Sequence, residues 1–272
     1  MQLPKIGLWT WKVHDEAVFY DALSLWYRHF DTAWIYHNEE RLGKVFKDYW
    51  KRDELWISSK IWFDYVPDYS FHVFKDEDFL YSQLEDRFIK TFNNLRTDYL
   101  DLVYLHWPTW YENDAKAFEK LLQYKREGRI LHLWVSNFPK GMLEKIYSLF
   151  WNEIEYLQTE RHACLGDQLL EGFCKEKNIN IVAYSPFWHG HLLKDKRLMV
   201  LANEMWISVS QMLLAYLLNK GFFVIPKSSI FQRLQENIEA WRVVLSENTV
   251  QSIECLEKHF RYNNPPFAPR YE

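Results

Sequence analysis

Glycine is the scarce residue in this chain. Only 8 of 272 residues are Gly, about 3%, where soluble proteins average about 7%. No Gly-rich turn follows the first apolar run, so the dinucleotide fingerprint of a doubly wound sheet is missing. Cysteine is sparse as well. Cys164, Cys174 and Cys255 are odd in number and lack metal spacing, which argues against a disulfide scaffold or a thiolate zinc site. Such a set suits reduced thiols and a cytoplasmic location. No apolar run reaches about 18 residues, so no transmembrane helix and no membrane association are expected. Positive charge is not in excess: 33 Lys and Arg face 37 Asp and Glu, for a net charge of −4. That excludes the electrostatic footprint of a nucleic-acid binder. The opening residues Met1 to Lys5 lead straight into structure, and no signal peptide is expected.

What is present is alternation. Apolar runs at 6–11, 29–31, 55–60, 99–105, 130–137, 156–160, 179–186 and 222–228 read as eight strands. Between them lie segments with helical spacing: 15–25, 39–50, 76–95, 115–126, 140–150, 168–177 and 208–219. Two more helices follow, at 233–241 and 247–259. Phe79, Leu80, Leu84, Phe88 and Phe92 keep a period near 3.6. Asp15 and Ser208 suit helix caps, and Gly128 suits a helix stop. Residues 261–272, with Pro265, Pro266 and Pro269, form an extended tail. Eight strands alternating with helices predict a parallel α/β sheet. At this length a single-domain (β/α)8 TIM barrel over residues 1–272 is the expected solution, with a doubly wound sheet as the alternative.

The polar residues gather at the C-terminal ends of these strands, the active face of such a barrel. Asp31 and Tyr36 lie on a strand-to-helix loop, Lys60 closes the third strand, and His106 closes the fourth. A Tyr donates a proton readily only if its pKa near 10 is lowered. A nearby Lys⁺ does that, and a carboxylate holds the Lys. Each residue alone is more often ordinary loop polarity; together they suit proton donation. Ser136 and Asn137 end the fifth strand, where a polar pair can equally be a simple cap. Lys227, Ser228 and Arg233 precede a helix, and that combination suits a phosphate because the helix N-terminus adds its own donors. A capped helix with a solvated basic face competes with that reading. Trp11, Trp62, Trp107, Trp110 and Phe138 either line a substrate mouth or simply pack. His189 and His191 lack a carboxylate partner set, and no metal centre is expected.

Asp31-Thr32-Ala33, Tyr36, Asn38-Glu39, Ser59-Lys60-Ile61-Trp62 and Leu105-His106-Trp107-Pro108, in that order, resemble the aldo-keto reductase family. The resemblance runs from Leu3 to Ser246. It implies reduction of aldehydes or ketones to alcohols by an enzyme using NADP(H). A small-molecule carbonyl is the implied partner, and a monomer is expected. Tyr36 is then the general acid, Lys60 paired with Asp31 lowers its pKa, and His106 orients the carbonyl. Ser136, Asn137 and Gln158 are implied to hydrogen-bond the nicotinamide amide. Tyr184, followed by Ser185, is implied to stack on the ring. Lys227, Ser228, Arg233, Glu236 and Asn237 match the family's 2′-phosphate pattern, with Arg233 offering a planar fork and Lys227 a point charge. A catalytically inactive NADPH-binding barrel with a regulatory or structural role is the alternative.

The missing glycine has a counterpart. Trp numbers 14, and the family pattern has Gly where this chain has Trp9, Trp26, Trp134 and Trp206, with Trp188 a weaker fifth case. Gly and Trp together make up about 8% of the chain, close to a normal combined share. No physical pressure makes the largest side chain the substitute for the smallest. A codon that means Gly in the source and is written here as Trp accounts for the pattern; UGA is such a codon in alternative genetic codes. Divergence is the other account. Trp134, two residues from Ser136 on one strand face, is expected to disturb the barrel and the nicotinamide site most, and Trp188 less.

Overall fold

A computed structural model describes residues 2–61, 77–108 and 111–265. Eight strands lie side by side in chain order: β1 (Leu8–Trp9), β2 (His29–Asp31), β3 (Trp56–Ile61), β4 (Leu100–Leu105), β5 (Ile130–Ser136), β6 (Ile154–Glu160), β7 (Asn180–Tyr184) and β8 (Phe223–Ile225). Every neighbouring pair is parallel. A parallel bridge between Ile6 and Val224 joins the last strand to the first. Gly7 N–H donates to the Val224 carbonyl at 2.9 Å and Trp9 N–H to the Pro226 carbonyl at 3.1 Å. The sheet thus curls into a (β/α)8 barrel, as the alternation predicts, and the doubly wound alternative falls. The first and last strands are shorter than their apolar runs at both ends, with Ile6 making only an isolated bridge.

The helices are α1 (Glu16–Ser24), α2 (Glu39–Asp48), α3 (Glu77–Leu95), α4 (Tyr111–Arg126), α5 (Lys140–Leu149), α6 (Gln168–Glu176), α7 (Lys196–Glu204), α8 (Val209–Asn219), α9 (Phe231–Glu239) and α10 (Glu247–Glu254). Asp15 caps α1 by accepting from Ala17 N–H at 3.0 Å. Ser208 and Gln211 form a reciprocal capping box on α8, which leaves fewer N–H groups unpaired at that terminus. The helix α7 is an addition to the sequence reading. Two 3-10 turns, Trp188–Gly190 and Leu192–Lys194, precede it and break the periodicity that would have shown it. Residues 255–259 lie beyond α10, not within it.

Two glycines sit where nothing larger fits. A Cβ on Gly43 would lie 2.0 Å from the Asn94 carbonyl oxygen, so Gly lets α2 cross close to α3. A Cβ on Gly7 would lie 2.4 Å from His29 Nδ1, inside the barrel.

Five helices end in the same hydrogen-bonded motif; after α6, Asn178 N–H donates to Lys175 O and Ile179 N–H to Cys174 O, with Asn178 at φ 57°. After α4, Gly128 N–H donates to Lys125 O and Arg129 N–H to Tyr124 O; after α8, Gly221 N–H donates to Leu218 O and Phe222 N–H to Leu217 O. Gly128 and Gly221 have φ of 74° and 86°, the left-handed conformation this cap requires. After α1, Trp26 N–H donates to Leu23 O and Tyr27 N–H to Ala22 O. After α7, Trp206 N–H donates to Asn203 O and Ile207 N–H to Ala202 O. Their φ values are 69° and 57°, a conformation that costs an L-residue about 1–2 kcal/mol. Trp206 is 95% exposed and Trp26 74% exposed, so neither indole recovers that cost by burial.

Trp134 takes the opposite course. It is fully buried among Leu102, Tyr104, Tyr156 and Val182 inside the barrel. Its indole stacks on Tyr156 at 4.0 Å and meets Tyr104 edge-on at 4.8 Å. The pairing of β5 with β6 shifts register at Leu133/Trp134, and the indole Nε1 has no partner. An unpaired buried donor costs about 1–3 kcal/mol.

Candidate active site

The barrel mouth gathers four residues that are far apart in the chain. Asp31 ends β2, Tyr36 closes a 3-10 turn (Trp34–Tyr36) just beyond it, Lys60 lies near the end of β3, and His106 follows β4. Lys60 Nζ donates to Asp31 Oδ1, and to the Thr32 carbonyl at 3.1 Å. Both side chains are buried, at 1% and 0% exposure, which requires pairing. Asp31 Oδ2 accepts from Ser58 Oγ at 3.0 Å and Gln158 Nε2 at 2.8 Å. Ser58 in turn pairs with His29 Nε2 at 3.1 Å. The carboxylate therefore has every direction filled.

Charge follows from this packing. Burial alone would lower the Lys60 ammonium; the Asp31 charge and then Tyr36 outweigh it and hold the group above its usual value. Burial pushes the Tyr36 phenol up, while the Lys60 charge pulls it the other way. The expected lowering by Lys60 is present as an opposing effect, but desolvation is larger in the protein without ligand. Burial also drives His106 well below the ordinary imidazole value, with Lys60 adding to it, so this ring is neutral near pH 7. It meets the Tyr36 ring edge-on at 6.1 Å.

Beside this group lies a polar set of a different kind. Asn137 and Ser185 both have positive φ, 62° and 52°. Asn137 Oδ1 accepts from the Tyr184 hydroxyl at 2.7 Å, and its amide donates to the His106 carbonyl and to Ser136 Oγ, both at 3.0 Å. Gln158, implied to reach a nicotinamide, instead spends its amide on Asp31. The face of Tyr184 carries Trp9, 5.7 Å away, and the Trp9 Nε1–H donates to the Tyr36 hydroxyl at 2.9 Å. Trp9 is in turn stacked on Trp11 at 5.3 Å.

A groove runs from here to α9. Trp9, Trp11, Ser185, Lys227 and Arg233 line its inner part, and Lys227, Ser228, Arg233, Glu236 and Asn237 its outer part, of about 480 Å³. Lys227 and Arg233 are exposed, whereas Ser228 and Asn237 are buried. Ser228 Oγ accepts from Ile230 N–H at 3.1 Å, fixing the turn into α9. Two exposed cations at a helix N-terminus form a donor set that suits a phosphate. The outer groove thus fits the implied cofactor; at the inner end the Trp9 ring lies tilted against that of Tyr184, the residue implied to stack on the nicotinamide.

Among the expected mouth aromatics, Trp11 lines the groove. Trp107 and Phe138 do not line an open surface: they are 9% and 1% exposed and belong to the hydrophobic core. Trp62 and Trp110 lie outside the described residues. Sequence reasoning missed Glu160. It is fully buried at the end of β6 and accepts from His162 Nε2 at 3.0 Å, Tyr262 N–H at 2.9 Å and Asn263 N–H at 2.7 Å. Burial pushes this carboxyl up, but His162 and the two backbone donors more than offset that and hold it below the usual value. Glu160 thereby ties residues 262–263 of the tail to the mouth. Its period-two spacing from Gln158 on one strand face was the available signal. The tail's residues 266–272 are outside the described residues. No group of three or more potential metal ligands occurs among the described residues.

Comparison with known proteins agrees with this geometry. The sequence model of the Aldo/keto reductase family matches residues 7–258. Glyoxal reductase of Bacillus subtilis is 34% identical over 274 residues, covering 98% of this chain and 93% of that protein. Methylglyoxal reductase DkgB of Escherichia coli O157:H7 is 30% identical, covering 100% of both. Among solved structures, an aldo-keto reductase enzyme from a Medee basin deep-sea metagenome library superposes with a TM-score of 0.86 at 26% identity, covering 97% of this chain and 95% of that one. From the match along nearly its whole length, this chain belongs to the aldo/keto reductase family.

Proposed function

We propose that the protein reduces small aldehydes or ketones to alcohols with NADPH, using Tyr36 as proton donor. The observation that carries this reading is the buried Lys60–Asp31 pair set beside the Tyr36 hydroxyl, with neutral His106 across from it. His106, being uncharged, orients a carbonyl oxygen by a hydrogen bond without competing for the proton. Tyr36 passes its proton to that oxygen as charge develops there. Lys60 stabilises the phenolate left behind, and Asp31 keeps Lys60 charged in a site that would otherwise neutralise it. Ser58 and Gln158 hold Asp31 in place. The phenolate regains its proton from water. Lys227, Ser228 and Arg233 would hold the 2′-phosphate of the cofactor, and Ser136, Asn137 and Tyr184 its nicotinamide end. When bound, NADPH supplies the hydride that the carbonyl carbon accepts.

The glyoxal and methylglyoxal reductases among the relatives support a small dicarbonyl as substrate. Loss of NADPH absorbance with methylglyoxal and a panel of aldehydes tests the proposal. A complete lack of consumption across the panel, with NADPH binding intact, favours the second reading, an NADPH-binding barrel without turnover. The Trp9 contact on Tyr36 is the observation that keeps that reading in play.

A further inference from the structure

We infer that residue 9 controls access to the inner end of the groove, and that the Trp9 indole closes it. The inference rests on the proposed cofactor reading and goes beyond it. Trp9 stands at the end of β1, next to Asp31 in register. Its indole spans two residues assigned separate roles: Nε1–H is hydrogen-bonded to the Tyr36 hydroxyl at 2.9 Å, and the ring lies 5.7 Å from that of Tyr184. Trp11 backs the ring from the other side at 5.3 Å, nearly parallel, and His189 meets Trp11 edge-on at 6.1 Å. The stack is therefore supported, not loose. A carbonyl oxygen must approach the Tyr36 hydroxyl, and a planar ring must approach Tyr184. The indole meets both groups. Opening the site requires breaking one hydrogen bond and aromatic contacts, which together weaken binding on the order of ten- to a hundredfold. Trp9 does not line the outer groove, where Ser228, Glu236 and Asn237 lie, although Lys227 and Arg233 face both parts.

That separation provides the test. NADPH and adenosine 2′,5′-bisphosphate, which keeps the 2′-phosphate end but has no nicotinamide, are titrated calorimetrically into the protein and into Trp9→Gly. Trp9→Ala serves as a second variant with less backbone freedom, and melting curves check folding of each. Removing the indole is expected to tighten NADPH at least tenfold and leave the bisphosphate unchanged within about twofold. Equal affinity of NADPH for all three forms overturns the inference. Binding of the bisphosphate but not NADPH to the unsubstituted chain, cured by either variant, supports it strongly. If neither ligand binds any form, the cofactor reading itself fails and the inference with it.

A separate observation carries a second inference. We propose that residues 26 and 206 are glycine in the protein its own cells make. Five helix ends share one capping motif; at the same left-handed position two carry Gly, one carries Asn, the other residue that takes this conformation readily, and two carry Trp. Trp188, at φ 45°, is a third tryptophan in that region, with its indole Nε1 unpaired. A backbone that favours glycine at positions 26 and 206, where an exposed indole stands with little beyond Arg28 over the Trp26 ring to offset the strain, is the physical mark of a misread codon. Peptide masses decide it. Tryptic peptides 13–28 and 198–220 of protein purified from the source cells should carry Gly at 26 and 206; Trp at both would overturn the proposal. In recombinant protein, Trp26→Gly and Trp206→Gly should each raise the melting temperature by roughly 2–4 °C, and a fall in both would count against it.

Discussion

The two walls of the barrel mouth are built on different plans. One wall is a single buried network running from His29 through Ser58 and Asp31 to Lys60 beside Tyr36, with each polar group set against the next. The other is a sequence of separate holds: Asn137 with Tyr184, Ser228 capping its own turn, and Arg233 exposed on the first turn of α9. The first wall meets the family pattern residue by residue and is complete without ligand. The second departs from it at Trp9, and there an indole fills the space. The difference teaches that the proposed acid–base group is part of the barrel's folded core, whereas the proposed cofactor wall is built of separate contacts.

If the first wall is one unit, removing its cation should do the most damage. Lys60→Met leaves the Asp31 carboxylate buried without its counter-charge. We expect a loss of about 3–5 kcal/mol of stability in denaturant titrations. Adding Asp31→Asn should restore much of it, and a double variant no more stable than the single one would show that the pair is not coupled.

The same wall should respond to acid. Burial, with Lys60 contributing and Asp31 opposing, holds the His29 imidazole down at about 4, whereas an unfolded His titrates near ~6.5. Above that value neither state binds the proton. Between about 6.5 and 4 the unfolded chain takes up a proton that the folded chain refuses, so stability is lost as pH falls through this window. The full effect is about 3 kcal/mol. The difference in unfolding free energy between the protein and His29→Gln, followed from pH 7 to pH 4, isolates it from other groups. A constant difference would remove His29 from the acid response.

The second wall predicts a smaller and more selective loss. Arg233→Met should weaken NADPH by about 1.5–3 kcal/mol, the size of a charge-assisted hydrogen bond, and leave NADH nearly unchanged. Calorimetric titration of both cofactors checks this. Equal losses for the two would mean that Arg233 does not read the 2′-phosphate.

The sequence carried the barrel because its signal is local and repeated: eight apolar runs, each followed by helical spacing, leave one topology that buries both. The added helix α7 escaped because two short turns before it hide its period. Asp31, Tyr36, Lys60 and His106 were legible because they lie at or just beyond the C-terminal ends of β2, β3 and β4, and a parallel barrel brings strand ends together. The hydrogen bond of Gln158 to Asp31 was not legible, because only three-dimensional packing brings its amide to that carboxylate. Phe138 read equally as mouth lining or packing, because sequence alone does not say which way the chain turns after Asn137; it packs in the core. Trp134 was expected to be the harmful indole. Its indole does lie in the barrel interior, as its strand face implies, and Trp9 is the indole that touches Tyr36. Strand alternation gives the face of a residue, but its height along the barrel relative to other strands depends on register.

The central claim is that Tyr36 gives the proton. Its direct test is made in the Trp9→Gly background, so that access does not obscure chemistry. NADPH affinity and methylglyoxal reduction are measured with and without Tyr36→Phe. The account predicts unchanged NADPH affinity and a fall in turnover of a hundredfold or more, on the order of a general acid's contribution. Undiminished turnover by the Phe variant would contradict it.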